Sequence, residues 1–352
     1  MPSKLIYTLT FHEVLNVGAT LQAYGLQRFL LNEGFESEII NYRPRYFLWQ
    51  IYRPAKTVSR SVIKMRQLFK FARFRRRHLR ITRRSIYSIN GLTQFSDCLA
   101  IICGSDQVWN RRLTGGSYDP VFFLGTPLAC QKIAFGASAG GHKLSPDRTT
   151  LVPMLKDFAS IGVREDALRR DLVDSGMVSK AETVLDPTFL IRDWSSVIDR
   201  RYVPKDMKYI ASYEVSDDAT RADFERKVGE IKARLGLPVI HLGAKPITHA
   251  DLTINILSPG EWLGLLESAY LVCTNSFHGV ALSVNLGRGL IFIPHLDAEK
   301  NVRALGLLAR TGLDRLTYSG ADSDLNRHSD YPQVQLEAQI LASQSFIREA
   351  LT

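Results

Sequence analysis

Apolar runs of strand length alternate with helix-length amphipathic runs along nearly all of this 352-residue chain, and that alternation constrains its fold more than any other feature. The opening sets the pattern with LIYTLTF, the turn NVG, ATLQAYGLQRFLLNE closed by Gly34, and then ESEIINY. Period and punctuation predict strand, helix, strand. LAIICG, KIAFGAS and SIGVRE follow, with the helix-like EDALRRDLVDSG after the last of them. A second series begins near Tyr209: YIASYEV, the helix TRADFERKVGEIKARLG, PVIHLGA, SPGEWLGLLESA, YLVCTNS, FHGVALSVNLG, GLIFIP and NVRALGLLARTGL. Alternation of this kind predicts parallel sheets covered by helices. Two such series, in a chain too long for one ordinary core, predict an α/β protein of two Rossmann-like domains facing a cleft. The expected division is 1–192 for the first domain, with a basic amphipathic insertion at 53–84, and 193–330 for the second. The polar stretch Arg192 to Lys208 is the expected linker, and 331–352 holds a closing helix, Gln333 to Leu351, that packs back on the first domain. Ligands of such sheets bind beyond the carboxyl ends of the strands, so polar residues there are the candidates for chemistry.

The formal charge of +10 is local. Arg53 to Arg84 holds thirteen Lys and Arg residues and no acid, which leaves −3 for the remainder. This excludes a uniformly basic nucleic-acid binder and points to one anionic partner. Val58, Val62, Met65, Phe69 and Ala72 recur there at helical spacing, an apolar stripe beneath a basic face. Such a helix can lie on an anionic membrane, and the alternative is a helix docked on its own core. No apolar run reaches the ~18 residues of a membrane span. The amino terminus MPSKLIYTLTF reads as a first strand rather than a signal peptide, so the expected location is the cytoplasm, with the basic segment resting at most on the inner membrane face. Cys98, Cys103, Cys130 and Cys273 lack metal-site spacing and read as reduced thiols without chemistry.

Polar residues stand beyond six of the expected strands. Asn16, Gly18 and Ala19 are expected in the turn between the first strand and helix, where free N–H groups favour an anion; the alternative is a tight turn needing glycine. GSDQVWN places Ser105, Asp106 and Gln107 after LAIIC, and the Asp106 carboxylate could take a proton from an attacking hydroxyl or simply cap a loop. Trp109 reads as packing. SIGVRE ends in Arg164 and Glu165; the planar guanidinium fork matches a carboxylate or phosphate, the alternative being an ion pair with a neighbouring acid. Asp186 in LDPTFL reads as structural. YLVCTNSFHGVALS runs from a strand through Asn275 and Ser276 to His278 at a helix start, where an imidazole can meet an anion or move a proton. Lys300 and Arg303 open a further helix and could complete an anion clamp, or be ordinary surface residues. Asp322 and Asp324 spell D-x-D in a polar loop, read as a turn; no metal site is expected.

In order, NVGATLQAYGLQ, GSDQVWN, KIAFGASAG, SIGVRE, LDPTFL, the run Pro-Gly-Glu-Trp and TNSFHGVALSVN resemble the polysaccharide pyruvyl transferase family across roughly residues 5 to 315. The basic segment lies outside the matching motifs. Val17 and the run ASAGGHK depart from the family pattern. The resemblance implies a fold like that of B-type glycosyltransferases, phosphoenolpyruvate as donor substrate with no cofactor, and a sugar or lipid-linked oligosaccharide acceptor carrying two nearby hydroxyls. The product would be a pyruvate ketal. Carried over by motif, Arg164 and His278 stand around the donor, Lys300 is a donor-side cation and Asn16 a first-turn polar contact; Gly18, Asn275 and Ser276 complete the donor set. His278 is then the expected acid, Arg164 the grip on carboxylate or phosphate, and Asp106 the base. Acceptor residues are not assigned. Two other readings remain open: a nucleotide-sugar glycosyltransferase holding its diphosphate at the helix start near His278, and a non-catalytic protein that docks on anionic lipid or glycan.

Overall fold

In strands β4 (Ala100–Cys103), β11 (Leu271–Thr274) and β12 (Gly289–Phe292) every residue is buried, the burial expected of parallel strands covered on both faces. The computed structural model describes residues 4–321, 325, 331 and 333–352. They divide into two units: Met1–Ser61 with Arg75–Ile191 and Ala338–Thr352, and Val62–Phe74 with Arg192–Glu337.

The first unit is built on β1 (Leu5–Leu9), β2 (Glu36–Tyr42), β3 (Ile81–Ile86), β4, β5 (Gln131–Ala137), β6 (Ser160–Val163) and β7 (Glu182–Thr183). Their order is β3-β2-β1-β4-β5-β6-β7, every pairing parallel. The helices before β7 are α1 (Val17–Asn32), α2 (Arg45–Tyr52), α3 (Val58–His78), α4 (Arg148–Leu155) and α5 (Asp166–Asp174). Helix α1 is buried along most of its length. A Cβ at Gly25 would stand 2.6 Å from the carbonyl oxygen of Pro187, so only glycine lets α1 lie this close to the turn that follows β7.

The second sheet comprises β8 (Ile210–Tyr213), β9 (Val239–His241), β10 (Leu252–Thr253), β11 and β12, in the parallel order β10-β9-β8-β11-β12. Its helices are α6 (Asp218–Leu235), α7 (Pro259–Glu267), α8 (Phe277–Asn285) and α9 (Ala298–Arg310). A capping box opens α7: the Glu261 backbone N–H donates to Ser258 Oγ, and the Ser258 N–H donates to the Glu261 carboxylate. The stretch between Arg192 and Lys208 is polar in composition but not loose. Trp194 and Val197 are buried, and the Asp199 N–H donates 3.0 Å to the Gly260 carbonyl. A final helix, α10 (Gln333–Ala350), begins in the second unit and ends in the first. There Ser343 Oγ accepts from Leu185 N at 2.9 Å, Phe346 meets the Phe135 ring at 6.0 Å, and Arg348 pairs with Glu33 at 2.8 Å.

Helix α3 turns its apolar stripe outward. Val58, Met65 and Phe69 are 82%, 66% and 67% exposed, and Val62 is exposed beside them. Anchoring comes from other positions: Phe71 and Phe74 are buried, Gln67 donates to the Leu257 carbonyl at 2.8 Å, and Lys70 pairs with Glu261 at 2.8 Å. Docking on the core therefore does not account for the stripe. Cys103 and Cys273 are buried inside strands, Cys98 and Cys130 are half-buried, and all four are free thiols. No described helix is long and apolar enough to cross a membrane, and Asp322 and Asp324 lie outside the described residues.

Candidate functional site

Each sheet reverses its winding once. In the first, the chain steps outward through β2 and β3 before returning to β4, so the reversal lies between β1 and β4; in the second it lies between β8 and β11. Neighbouring connections diverge at such a point and leave the carboxyl ends of the two strands open to a ligand.

At the first reversal, β4 runs into Gly104, Ser105 and Asp106. Asp106 is buried in a left-handed conformation, φ 76°, and pairs as an isolated bridge with Ala137 at the end of β5. A non-glycine residue held there is a strained position of the kind functional sites retain. Its carboxylate accepts from the Gln107 N–H at 2.9 Å. Arg164 leaves the end of β6 with its backbone N–H bonded to the Ala137 carbonyl at 3.1 Å. Its buried guanidinium lies 2.9 Å from Asp186, 3.8 Å from Asp106 and 3.8 Å from Glu165. Ser105 Oγ donates to the same Asp186 oxygen at 2.7 Å, and Ser138 Oγ donates to Glu165. Burial works against the charge on Arg164, but Asp186, Glu165 and Asp106, in that order, hold it above the ordinary guanidinium value. The structure thus brings Arg164 and Asp106 together. It also sets Arg164 in the arrangement weighed above as the alternative, a cation already facing three carboxylates. Asp186 has a second duty: its other oxygen accepts from the Thr188 N–H at 3.0 Å and caps a 3-10 turn.

The amino end of α1 differs from expectation. The turn closes at Asn16, whose exposed side chain caps the helix by accepting from the Ala19 N–H at 3.1 Å. Gly18 and Ala19 are not in the turn but buried in the first turn of α1, so a tight turn does not explain Gly18. The cause is the strong Asn cap, which starts the helix two residues earlier than the glycine suggested.

At the second reversal three helices begin beyond adjacent parallel strands: α6 after β8, α8 after β11 and α9 after β12. Their amino termini are capped by Asp217, accepting from Thr220 N at 3.0 Å, by Ser276, accepting from Gly279 N at 3.5 Å, and by Asp297, accepting from Glu299 N at 3.0 Å. Helix starts gathered at one sheet edge favour negative charge. Asn275 spans the reversal itself: its Oδ1 accepts from Val215 N at 2.8 Å and its Nδ2 donates to Ser216 Oγ at 2.7 Å. Asn275 and Ser276, both named as donor contacts, thus have local bonds that shape the edge. His278 sits in the first turn of α8, a helix buried along its whole length; its ring is edge-on to Phe277 at 5.2 Å, and Arg303 lies over the Phe277 ring at 5.8 Å.

Lys300, half-exposed on α9, places Nζ 3.4 Å from Asp217 and 3.1 Å from His295 Nε2. The Asp297 N–H donates to His295 Nδ1 at 2.9 Å, so that ring nitrogen accepts. Burial first, then the Lys300 charge, pushes the His295 pKa below the ordinary imidazole value. Neither His295 nor Asp217 was singled out from sequence. The rule that found His278 finds His295 too, because it follows the apolar run GLIFIP directly. Among the described residues no three His, Cys, Asp or Glu side chains are grouped to hold a metal ion.

A sequence model of the family described as polysaccharide pyruvyl transferase matches residues 16–297, well over half of the chain. No curated protein sequence matches it. Among solved structures, the chain is similar to the UDP-GlcNAc 2-epimerase of Methanocaldococcus jannaschii, with 11% identity, a TM-score of 0.53, and 98% of each chain covered. It is likewise similar to the UDP-GlcNAc 2-epimerase of Neisseria meningitidis bound to UDP-GlcNAc, with 9% identity, a TM-score of 0.50, and 99% of this chain and 98% of the other covered. At these identities the likeness concerns the fold alone, an α/β class with parallel sheets.

Proposed function

The chain belongs to the polysaccharide pyruvyl transferase family, and from that premise we propose that it moves the pyruvyl group of phosphoenolpyruvate onto two hydroxyls of a sugar, forming a pyruvate ketal. The observation that supports this reading most is the carboxyl edge of the second sheet, where the starts of α6, α8 and α9 come together with His278 and Lys300. Phosphoenolpyruvate carries a carboxylate and a phosphate, and helix starts with an ammonium beside them suit both. Lys300 faces Asp217, and an incoming phosphate would compete for the same ammonium.

In the proposed reaction His278 protonates the methylene carbon of the donor, and the neighbouring carbon develops oxocarbenium character. A sugar hydroxyl adds there and loses its proton to a base. The C–O bond to phosphate then breaks, phosphate departs with its electron pair toward Lys300, and the second hydroxyl closes the ketal as its proton is taken up by phosphate. Positioning and charge stabilisation supply the rate, with no covalent enzyme intermediate. Arg164, already facing three carboxylates, is proposed to fix Asp106 rather than to grip the donor.

Calorimetric titration with phosphoenolpyruvate, beside UDP-sugars, tests the donor, and turnover of His278→Gln tests the acid. Binding of phosphoenolpyruvate with lost turnover in the variant is expected. Binding of UDP-sugars alone would replace this reading with a nucleotide-sugar transferase, and full turnover of His278→Gln with an unchanged pH profile would remove His278 as the acid.

A further inference from the structure

Helix α3 presents to solvent a face that a soluble helix would normally bury. Val58, Val62, Met65 and Phe69 line it at helical spacing, and all four are exposed. At 100° per residue Arg66 and Arg73 run along one flank, and Arg76, seven residues after Phe69, falls on the line of the stripe itself toward the carboxyl end. Those three arginines are exposed, and no acid occurs between Arg53 and Arg84 to neutralise them. Beside the stripe Met65, Arg66, Phe69, Lys70, Tyr202 and Ile256 line a groove of about 520 Å³. Its lining is mainly apolar, and of its two cations Lys70 is already paired with Glu261.

We propose that α3 lies on the surface of an anionic phospholipid bilayer, with Val62, Met65 and Phe69 inserted among the acyl chains and Arg66, Arg73 and Arg76 set against headgroup phosphates. Charge complementarity selects this occupant. A protein partner would need a matched acidic surface, and a second copy of the same face would bring like charges together, whereas an anionic leaflet supplies both negative charge and apolar depth. The inference does not depend on the identity of the donor.

The test is flotation of the full-length chain with phosphatidylcholine vesicles, with or without phosphatidylglycerol. Binding is expected to the anionic vesicles and at least about tenfold weaker to the neutral ones, falling as salt screens the phosphates. Val62→Asp/Met65→Asp/Phe69→Asp and Arg66→Gln/Arg73→Gln/Arg76→Gln should each lower the bound fraction at least about tenfold. Both alter exposed side chains, and circular dichroism with urea unfolding verifies that each variant stays folded. Because the arginine variant adds no charge to an apolar surface, it keeps the test decisive if the aspartate variant does not fold. No binding of the wild-type chain to anionic vesicles, or equal binding by a folded variant, overturns the proposal. Self-association in sedimentation velocity that the aspartate variant abolishes, without vesicle binding, overturns it in favour of a second copy of the chain.

Discussion

The Nζ of Lys300 lies 3.1 Å from Nε2 of His295, and both face Asp217. Two groups that can each carry positive charge share one carboxylate, so the charge on the lysine opposes protonation of the imidazole. Lys300→Met should therefore raise the His295 pKa toward its ordinary value, followed through the imidazole proton resonances on titration. The same variant removes the cation of the proposed donor site, and the KM for phosphoenolpyruvate should rise at least about tenfold, the cost of one charge-assisted contact. Lys300→Arg should restore part of that affinity. An unshifted His295 titration in Lys300→Met would mean that the pair is not formed in solution.

Arg164→Met should cost stability before it costs chemistry. Removing the guanidinium leaves Asp186, Glu165 and Asp106 buried together without their shared cation. Deleting one partner of a buried ion pair typically destabilises by about 3–5 kcal/mol. Urea unfolding should show that loss, and Arg164→Lys should recover only part of it, since a lysine lacks the planar fork. A fully stable Arg164→Met that fails only in turnover would assign Arg164 to the substrate instead.

Acid should loosen the second unit through His241. This residue ends β9 with Nδ1 2.9 Å from Ser212 Oγ, and burial, then the Arg221 charge, pushes its pKa down to about 4. The unfolded chain binds the proton near pH 6.5 and the folded chain only near 4, so stability is present above 6.5 and declines as pH falls through that window. The shift corresponds to about 3 kcal/mol. His241→Asn, which keeps a partner for Ser212, should flatten the dependence of the urea midpoint on pH between those limits. An equally steep dependence in the variant would move the effect to other groups, with His12 the first to examine because burial lowers its pKa as well.

The strand-and-helix alternation was readable because parallel strands buried on both faces are written as unbroken apolar runs, as in AIIC and LVCT. Trp109 was legible as packing and is buried, stacked on Phe123 at 5.3 Å. Harder to read were features that depend on which neighbour arrives. The sequence of α3 contains an apolar stripe, yet periodicity does not say which face is covered, and Phe71 and Phe74 win the core while Met65 and Phe69 remain outside. Gly18 suggested a turn because glycine punctuates chains, but the Asn16 cap had already begun the helix. At Arg164 the strand end was clear, and the pairing with Asp186 was not, since those residues meet only through the fold. His295 and Asp217 were missed for lack of an obvious motif, although their strand-end positions carried the same signal as His278.

Because α10 supplies Ser343, Phe346 and Arg348 to a unit whose first strand begins at Leu5, that unit is closed by residues synthesised after the whole second sheet. The second unit, encoded in between, has its whole sheet available earlier. Synthesis order and spatial order therefore differ, and the first unit must wait, with Leu185 and Phe135 lacking their final cover, until α10 has been made. A nascent chain arrested just short of α10 would expose that waiting surface to chaperones and proteases, while the sheet from β8 to β12 is already complete.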